Sequence, residues 1–284
     1  MKALLAVDRV DPSVNNNAAI GSASSRGHTE VVKMLLKDKR VDPGARNNLA
    51  VRFASGNGHV EVVRLLLADK RVDPSACDNY AIQLASEYGH VEVVRLLLQD
   101  KRVDPSDRDN FAMRWASKKG HVKVVRLLLQ DNRVDPSAND NRAICYASRN
   151  GYVKVVRVLL KDKRVDPSAD NNAAICWASK NGYIKVVRLL LAEANNNRVD
   201  PSVDDNNAIR WAAANGHAEV VRVLLEDKRV NPRAKNGEAR KNAVKNNHVK
   251  IVTMLDAWKP PAKPEAPHVV VIPKGVKQVI LNFE

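Results

Sequence analysis

The chain is short of the residues on which catalysis and crosslinking usually depend. Its 284 residues include three cysteines, 12 glycines and 4% aromatics, and 32 acidic residues stand against 47 lysines and arginines. So few thiols exclude a disulfide scaffold. No Cys-x-x-Cys pair, phosphate-cradling glycine loop or nucleophile–base motif occurs. No apolar run approaches the roughly 20 residues that cross a bilayer. Met1–Val7 opens like a secretory leader, but the apolar run is too short and Asp8-Arg9 follows it, so no targeting segment is expected. These absences point to a non-enzymatic chain with no cofactor, metal or membrane span, in a reducing intracellular compartment, cytoplasmic or nuclear.

What the chain has instead is a period. Val-Asp-Pro recurs at Val10, Val41, Val72, Val103, Val134 and Val165, always 31 residues apart. It returns at Val199 after a three-residue insertion and, as Val-Asn-Pro, at Val230. Within one copy, Ile82, Leu84 and Ala85 form an apolar stripe, Gly89 interrupts it, and Val91, Val94, Leu97 and Leu98 form a second. Those spacings place apolar side chains on one face of each of two short helices. Gly89 has counterparts at Gly27, Gly58, Gly120, Gly151, Gly182 and Gly216, where the turn between helices needs left-handed backbone. The proline of each Asp-Lys-Arg-Val-Asp-Pro-Ser loop ends the second helix. Asn17, Asn48, Asn79, Asn110, Asn141, Asn172 and Asn206 precede the first helix, with Gly237 in the last copy. Asn and Gly share tolerance of positive φ and use as helix N-caps, which marks this column as conformational.

The string GHVEVVRLLL at Gly58–Leu67 and Gly89–Leu98 resembles the second helix of the ankyrin repeat family, and the resemblance extends over residues 1 to about 257. It implies an all-α fold, an ankyrin-type α-solenoid of stacked helix-turn-helix repeats. There are two departures. The family's Thr-Pro-Leu-His opening is replaced by strings such as Tyr80-Ala81-Ile82-Gln83, and the unit is two residues shorter than the usual 33. These losses fall in the turn that forms the family's β-finger and at the loop. The expected organisation is a half-repeat over 1–11, seven repeats over about 12–231 and a capping repeat over about 232–257, in which Asn242, Thr253 and Asp256 replace apolar columns. A Pro-rich linker, 258–268, and a tail, 269–284, follow; the tail reads as a short β-hairpin turning at Pro273-Lys274-Gly275.

A helix pair this short cannot bury its apolar face alone, so stability comes from stacking layers about 10 Å apart. Alanine columns at 19, 50, 81, 112, 143, 174, 208 and 239, and again four residues later, let helices approach closely. Between them stand Phe53, Leu84, Trp115, Tyr146, Trp177 and Trp211, which read as filling of the interlayer core where the family places a leucine; a base-stacking row is the alternative. Cys145 and Cys176 share a column in adjacent layers, beyond the disulfide reach of about 7 Å. His28, His59, His90, His121, His217 and His248 follow the turn glycine, and Tyr152 and Tyr183 fill the same column. Tyrosine there argues for shared packing or hydrogen bonding and against metal ligation.

The formal charge is +15. Much of it is a ladder on the second helices, Lys33, Arg64, Arg95, Arg126, Arg157, Arg188 and Arg222, together with a Lys-Arg pair in the loops, as in Lys101-Arg102. Each loop pair reads as partly neutralised by the Asp that follows two residues later. Most of this charge is expected to be a solvated face. One local change stands out: Glu30, Glu61, Glu92 and Glu219 precede the ladder at i, i+3, whereas copies four to six carry Lys123, Lys154 and Lys185. With Lys118, Lys119, Arg149 and Lys180 these form a basic band suited to an acidic protein surface or a phosphate backbone.

Two columns vary freely between copies, one just after the helix-entry Asn and one just before the turn glycine. In the ankyrin family these columns line the groove that meets partners, so the resemblance implies a protein-binding set at Leu49, Tyr80, Glu87, Tyr88, Phe111, Lys118, Lys119, Arg142 and Arg149. The reading is a non-catalytic interaction scaffold or adaptor. Its groove takes a protein partner with an acidic surface or segment, and its tail either folds back over the last repeat or adds as a strand to a second partner. The alternative is a nucleic-acid-associated basic solenoid using Lys123, Lys154, Lys180 and Lys185.

Overall fold

The computed structural model describes residues 11–194 and 198–260. The expected half-repeat but for Asp11, the stretch 195–197 ahead of Val199, the linker beyond Pro260 and the hairpin tail lie outside the described residues. The described chain forms helix pairs stacked in eight layers. They are α1 (Val14–Ser25) with α2 (Thr29–Lys37), α3 (Ala45–Gly56) with α4 (Val60–Ala68), α5 (Ala76–Tyr88) with α6 (Val91–Gln99), and α7 (Asp107–Lys119) with α8 (Val122–Leu129). Then come α9 (Ala138–Arg149) with α10 (Val153–Leu159), α11 (Ala169–Lys180) with α12 (Ile184–Ala194), α13 (Val203–Ala214) with α14 (Ala218–Leu225), and α15 (Ala234–Lys245) with α16 (Val249–Ala257). No described residue is in a strand. Each first helix packs on the first helices of its neighbours and each second helix on the second helices. The alanine columns and the valine and leucine stripes between them form one continuous buried core.

Where the family builds its finger, this chain makes a left-handed turn. The first turn of every first helix is broken by three successive residues, such as Cys77-Asp78-Asn79 and Arg108-Asp109-Asn110, with φ of 51–61° when they are not glycine; the regular helix starts after them. The turn closes with the Asn79 N–H donating to the Ser75 carbonyl at 2.7 Å. Left-handed backbone costs an ordinary L-residue about 1–2 kcal/mol, and Asn and Asp are among the few that visit it routinely. Most residues of these turns are Asn or Asp, which accounts for the polar richness of the segment.

The helix-entry Asn does take positive φ, but its side chain does not cap its own helix. It reaches forward one layer: the Asp104 N–H donates to Asn79 Oδ1 at 2.7 Å, and the same bond at 2.6–2.8 Å joins Asn17, Asn48, Asn110, Asn141, Asn172 and Asn206 to the layer above. The left-handed turn aims the amide outward, away from the helix start it would otherwise cap.

Loop arginines reach in the opposite direction. Arg102 Nη1 and Nη2 donate to the carbonyls of Val72 and Leu67 in the layer before, at 2.7 and 3.2 Å. The Asp100 carboxylate grips its other face at 2.6 and 2.9 Å. The neutralising carboxylate is therefore the Asp before the Lys-Arg pair, not the one after it. The following Asp104 is occupied by the N–H and hydroxyl of Ser106. Arg71, Arg133 and Arg164 repeat the clasp, so a good share of the positive charge is interlayer structure. The guanidinium hydrogen bonds hold Asp69, Asp100, Asp131, Asp162 and Asp227 below the ordinary carboxylate range, and hold Asp38 down to about 2.

The histidine column closes the stack at the turns. His90 Nε2 lies 2.9 Å from the Gly56 carbonyl, which places a proton on that nitrogen. The ring covers Gly58 so closely that a Cβ there would sit 2.5 Å from Nδ1. Tyr152 and Tyr183 cover Gly120 and Gly151 in the same way. In those two layers the side chains of Asn150 and Asn181 take over the carbonyl bonds, at 3.3 and 2.7 Å.

Candidate functional site

On the first helices of layers four to seven, aromatic rings alternate with cations. A ring and the basic residue three positions later face the same way, one helical turn apart. Lys118 Nζ lies 3.8 Å from the Trp115 ring centre and 5.5 Å from that of Tyr146 in the next layer. The Arg149 guanidinium is 4.5 Å from the Trp177 centre. Lys180 Nζ stands between Trp177 and Trp211, at 4.9 and 4.1 Å. Lys119 adds a longer contact with Trp115 and an ion pair with Glu87 at 3.6 Å.

This corrects the expectation that the large-residue column fills the interlayer core. Only Leu84 is buried, at 9% exposure; Phe53 and Trp211 are 41% and 40% exposed and the other rings are half-buried. The core has no room for them. Its space is taken by the alanine columns on either side and by Val51, Ile82, Met113, Ile144, Ile175 and Ile209, all at most 1% exposed. The rings therefore turn outward along the same helix face as Lys118 and Lys180.

Two clefts open along this face. One of about 740 Å³ is lined by Phe53, Gly56, Asn57, Tyr80, Leu84, Tyr88 and His90 between layers two and three. The other, about 320 Å³, lies between layers six and seven, walled by Trp177 and Trp211, with Cys176, Lys180, Asp170 and Asp204 on its lining. A missing side chain opens the second cleft. In the column of Cys176, Arg114 and Arg210 reach back to the left-handed turn, to the carbonyls of Asp109 and Asp205 at 2.8 and 3.0 Å. Gln83 makes the equivalent bond to Asp78. A cysteine cannot span that distance, so the space stays empty. Burial pushes the thiols of Cys145 and Cys176 up to about 12, which makes them inert at neutral pH.

The sequence-derived set is partly gathered here and partly split. Tyr80 and Tyr88 share the first cleft, with Tyr88 57% exposed and the Arg52 guanidinium 5.8 Å from the Tyr80 ring centre. Phe111 stacks on Trp115 at 5.2 Å and 24°. Leu49 sits apart, against Gly21 of the layer before. Arg142 pairs with Asp170 at 3.7 Å, beside the left-handed turn of layer six. Glu87 joins the face through Lys119, and Lys118, Lys119, Arg149 and Lys180 lie on the rings. Lys123, Lys154 and Lys185 belong to the second helices and are exposed there. The basic band is thus two sets of charges on two kinds of helix. Trp115, Tyr146, Trp177 and Trp211 were missed as surface groups; the signal available was the basic residue that follows three positions after three of them.

Among the described residues no three His, Cys, Asp or Glu side chains converge as a bound metal requires. No described helix is long and apolar enough to cross a membrane. A search of curated proteins gives no match. The family described as ankyrin repeats (3 copies) matches residues 1–78, 48–140, 115–200 and 175–257, which together span the whole stack. Ankyrin repeats are in general protein–protein interaction modules, typically without catalytic activity. The left-handed turns replace the finger, but the stacked helix pairs, the turn glycines and the matched span agree: the chain belongs to the ankyrin-repeat family.

Proposed function

We propose that the ring-and-cation face of the first helices binds an extended, acidic protein segment bearing one or two apolar anchor residues. The alternation of Trp115, Lys118, Tyr146, Arg149, Trp177, Lys180 and Trp211 carries the reading. Cations resting on ring faces are already restricted in rotamer and each gains about 0.5–1 kcal/mol from the contact. They can meet carboxylates without the full ordering cost of free lysines. The clefts beside Tyr80 and between Trp177 and Trp211 supply seats for apolar anchors, and Trp, Tyr and Arg are the residue types that dominate interface energetics. Because the chain's own cations cover the rings, the row is better suited to anionic side chains than to stacked bases.

Leu49, Tyr80, Glu87, Tyr88, Phe111, Lys118, Lys119, Arg142 and Arg149 are proposed as contacts, joined by Trp115, Tyr146, Trp177 and Trp211. Selection of random peptides on the immobilised protein tests this. Acidic sequences with a Leu, Phe or Trp should be enriched, and their affinity should fall at least tenfold for a Trp115→Ala, Trp177→Ala variant. Enrichment of peptides without acidic bias, or equal binding to both proteins, rules the reading out.

A further inference from the structure

We infer that the exposed faces of α8, α10 and α12 form a second binding surface, separate from the groove, for the phosphate backbone of a double-stranded nucleic acid. Six cations occupy it: Lys123 and Arg126, Lys154 and Arg157, Lys185 and Arg188, all exposed. The one carboxylate on these helices, Glu193, is bound by Arg198 at 2.7 Å. Among the described residues no carboxylate lies within ion-pair distance of any of the six.

The same two columns behave differently elsewhere in the stack. Arg64 pairs with Glu61 at 3.4 Å, Arg95 with Glu92 at 3.3 Å and Arg222 with Glu219 at 2.8 Å. The fold therefore accepts glutamate in this column and gains a pair from it. Layers four to six carry lysine in its place, three times in succession. The column is also continuous between layers: Lys250 in layer eight reaches Glu219 in layer seven, its neighbour in the same column, at 3.2 Å. By the same spacing, Lys123, Lys154 and Lys185 each stand within side-chain reach of the next lysine in the column. At physiological salt the screening length is about 8 Å, so the row repels itself until an anion lies along it.

The chemistry of the patch selects the anion. Its three helices carry no aromatic residue and no exposed large apolar residue for insertion into lipid; Tyr152 and Tyr183, 37% exposed just ahead of α10 and α12, have their rings seated on Gly120 and Gly151, which leaves no free platform for unpaired bases. What remains is a double row of charges. With layers about 10 Å apart the row extends about 20 Å, over which a duplex presents about a dozen phosphate charges. Recognition of this kind positions a backbone and reads no sequence.

The test uses the full chain and a labelled DNA duplex of about 20 base pairs, with fluorescence anisotropy from 50 to 200 mM salt. Binding should weaken linearly on logarithmic axes, with a slope of about −0.9 for each phosphate neutralised. A K123E/K154E/K185E variant adopts the arrangement of layers two and three and so should fold. It should lose at least tenfold in affinity and about 3 from the slope. K123Q/K154Q/K185Q should fall between it and the native chain. The Trp115→Ala, Trp177→Ala variant should bind duplex as the native chain does, which separates this surface from the groove. The inference is overturned by equal duplex binding of the native and K123E/K154E/K185E proteins, or by loss of duplex binding in the tryptophan variant. It is also overturned if phosphatidylserine vesicles, polyglutamate or the single strand bind more tightly than the duplex at matched salt.

Discussion

Layers two and three and layers four to six are built on the same buried residues. Val62, Val63 and Leu66 of α4 are matched by Val124, Val125 and Leu128 of α8 and by Val155, Val156 and Leu159 of α10, all fully buried. On their surfaces the two regions diverge. The first pairs its outer arginines with glutamates and lines its inner face with Phe53, Tyr80, Leu84 and Tyr88. The second leaves its outer cations without carboxylates and rests Lys118, Arg149 and Lys180 on indole and phenol rings. Because each layer touches only its neighbours, a surface column can change over three layers while the core below stays constant. Charge pattern and fold are thus decoupled along this chain.

The comparison is broken most severely at its boundary. Gly89, in the turn between the two helices of layer three, has φ of 81°, and a Cβ there would lie 2.6 Å from His121 Nδ1 of layer four. Gly89→Ala should cost about 3 kcal/mol, read as a lower midpoint in urea, and should loosen the coupling between the two regions enough to broaden the transition. Asn110→Ala removes both the side chain that holds the Asp135 N–H at 2.8 Å and the residue type suited to φ of 56°. A loss of about 2 kcal/mol is expected. Asn110→Gly keeps the backbone and should recover part of it, which separates conformation from the clasp.

A smaller effect sharpens the comparison in the other direction. K123E/K154E/K185E gives the second region the ion pairs of the first and should raise stability by about 1–2 kcal/mol at low salt, with the gain shrinking as salt is added. Thermal melts at two salt concentrations check both statements. Acid should distinguish the regions least, since the Arg–Asp clasp recurs in both. Folding lowers the pKa of Asp69, Asp100, Asp131 and Asp162, chiefly through hydrogen bonds from Arg71, Arg102, Arg133 and Arg164. Their contribution is therefore complete above the ordinary value of 3.8 and is lost as pH falls through the lower folded values. Unfolding should set in below about pH 4, and Asp100→Asn should flatten that limb of the stability curve.

The stack itself was legible because a fixed period, two apolar stripes and a glycine between them determine helix, turn and helix. The positive φ of the Asn column was legible for the same reason: Asn and Gly exchange there, and few conformations suit both. The left-handed run of three was not, since nothing in Cys77-Asp78-Asn79 distinguishes it from an ordinary polar loop until the Asn79 side chain is seen holding Asp104. The ring row was read inward because ring and leucine share a column, and Leu84 is indeed buried. Helical phase locates that column between two alanine stripes, but how far the next layer covers it depends on packing that spacing does not express. The arginine clasps were assigned to the wrong aspartate because both neighbours lie two residues away.

The Asn clasp runs one way only. Each side chain grips the backbone of the following layer, opposite in sense to the arginine clasps, so the two ends of the stack present different unfilled partners. Gly237 occupies that position in layer eight and has no amide to extend. A unit stacked on layer eight would find no forward clasp at this position. Gly237→Asn should supply it.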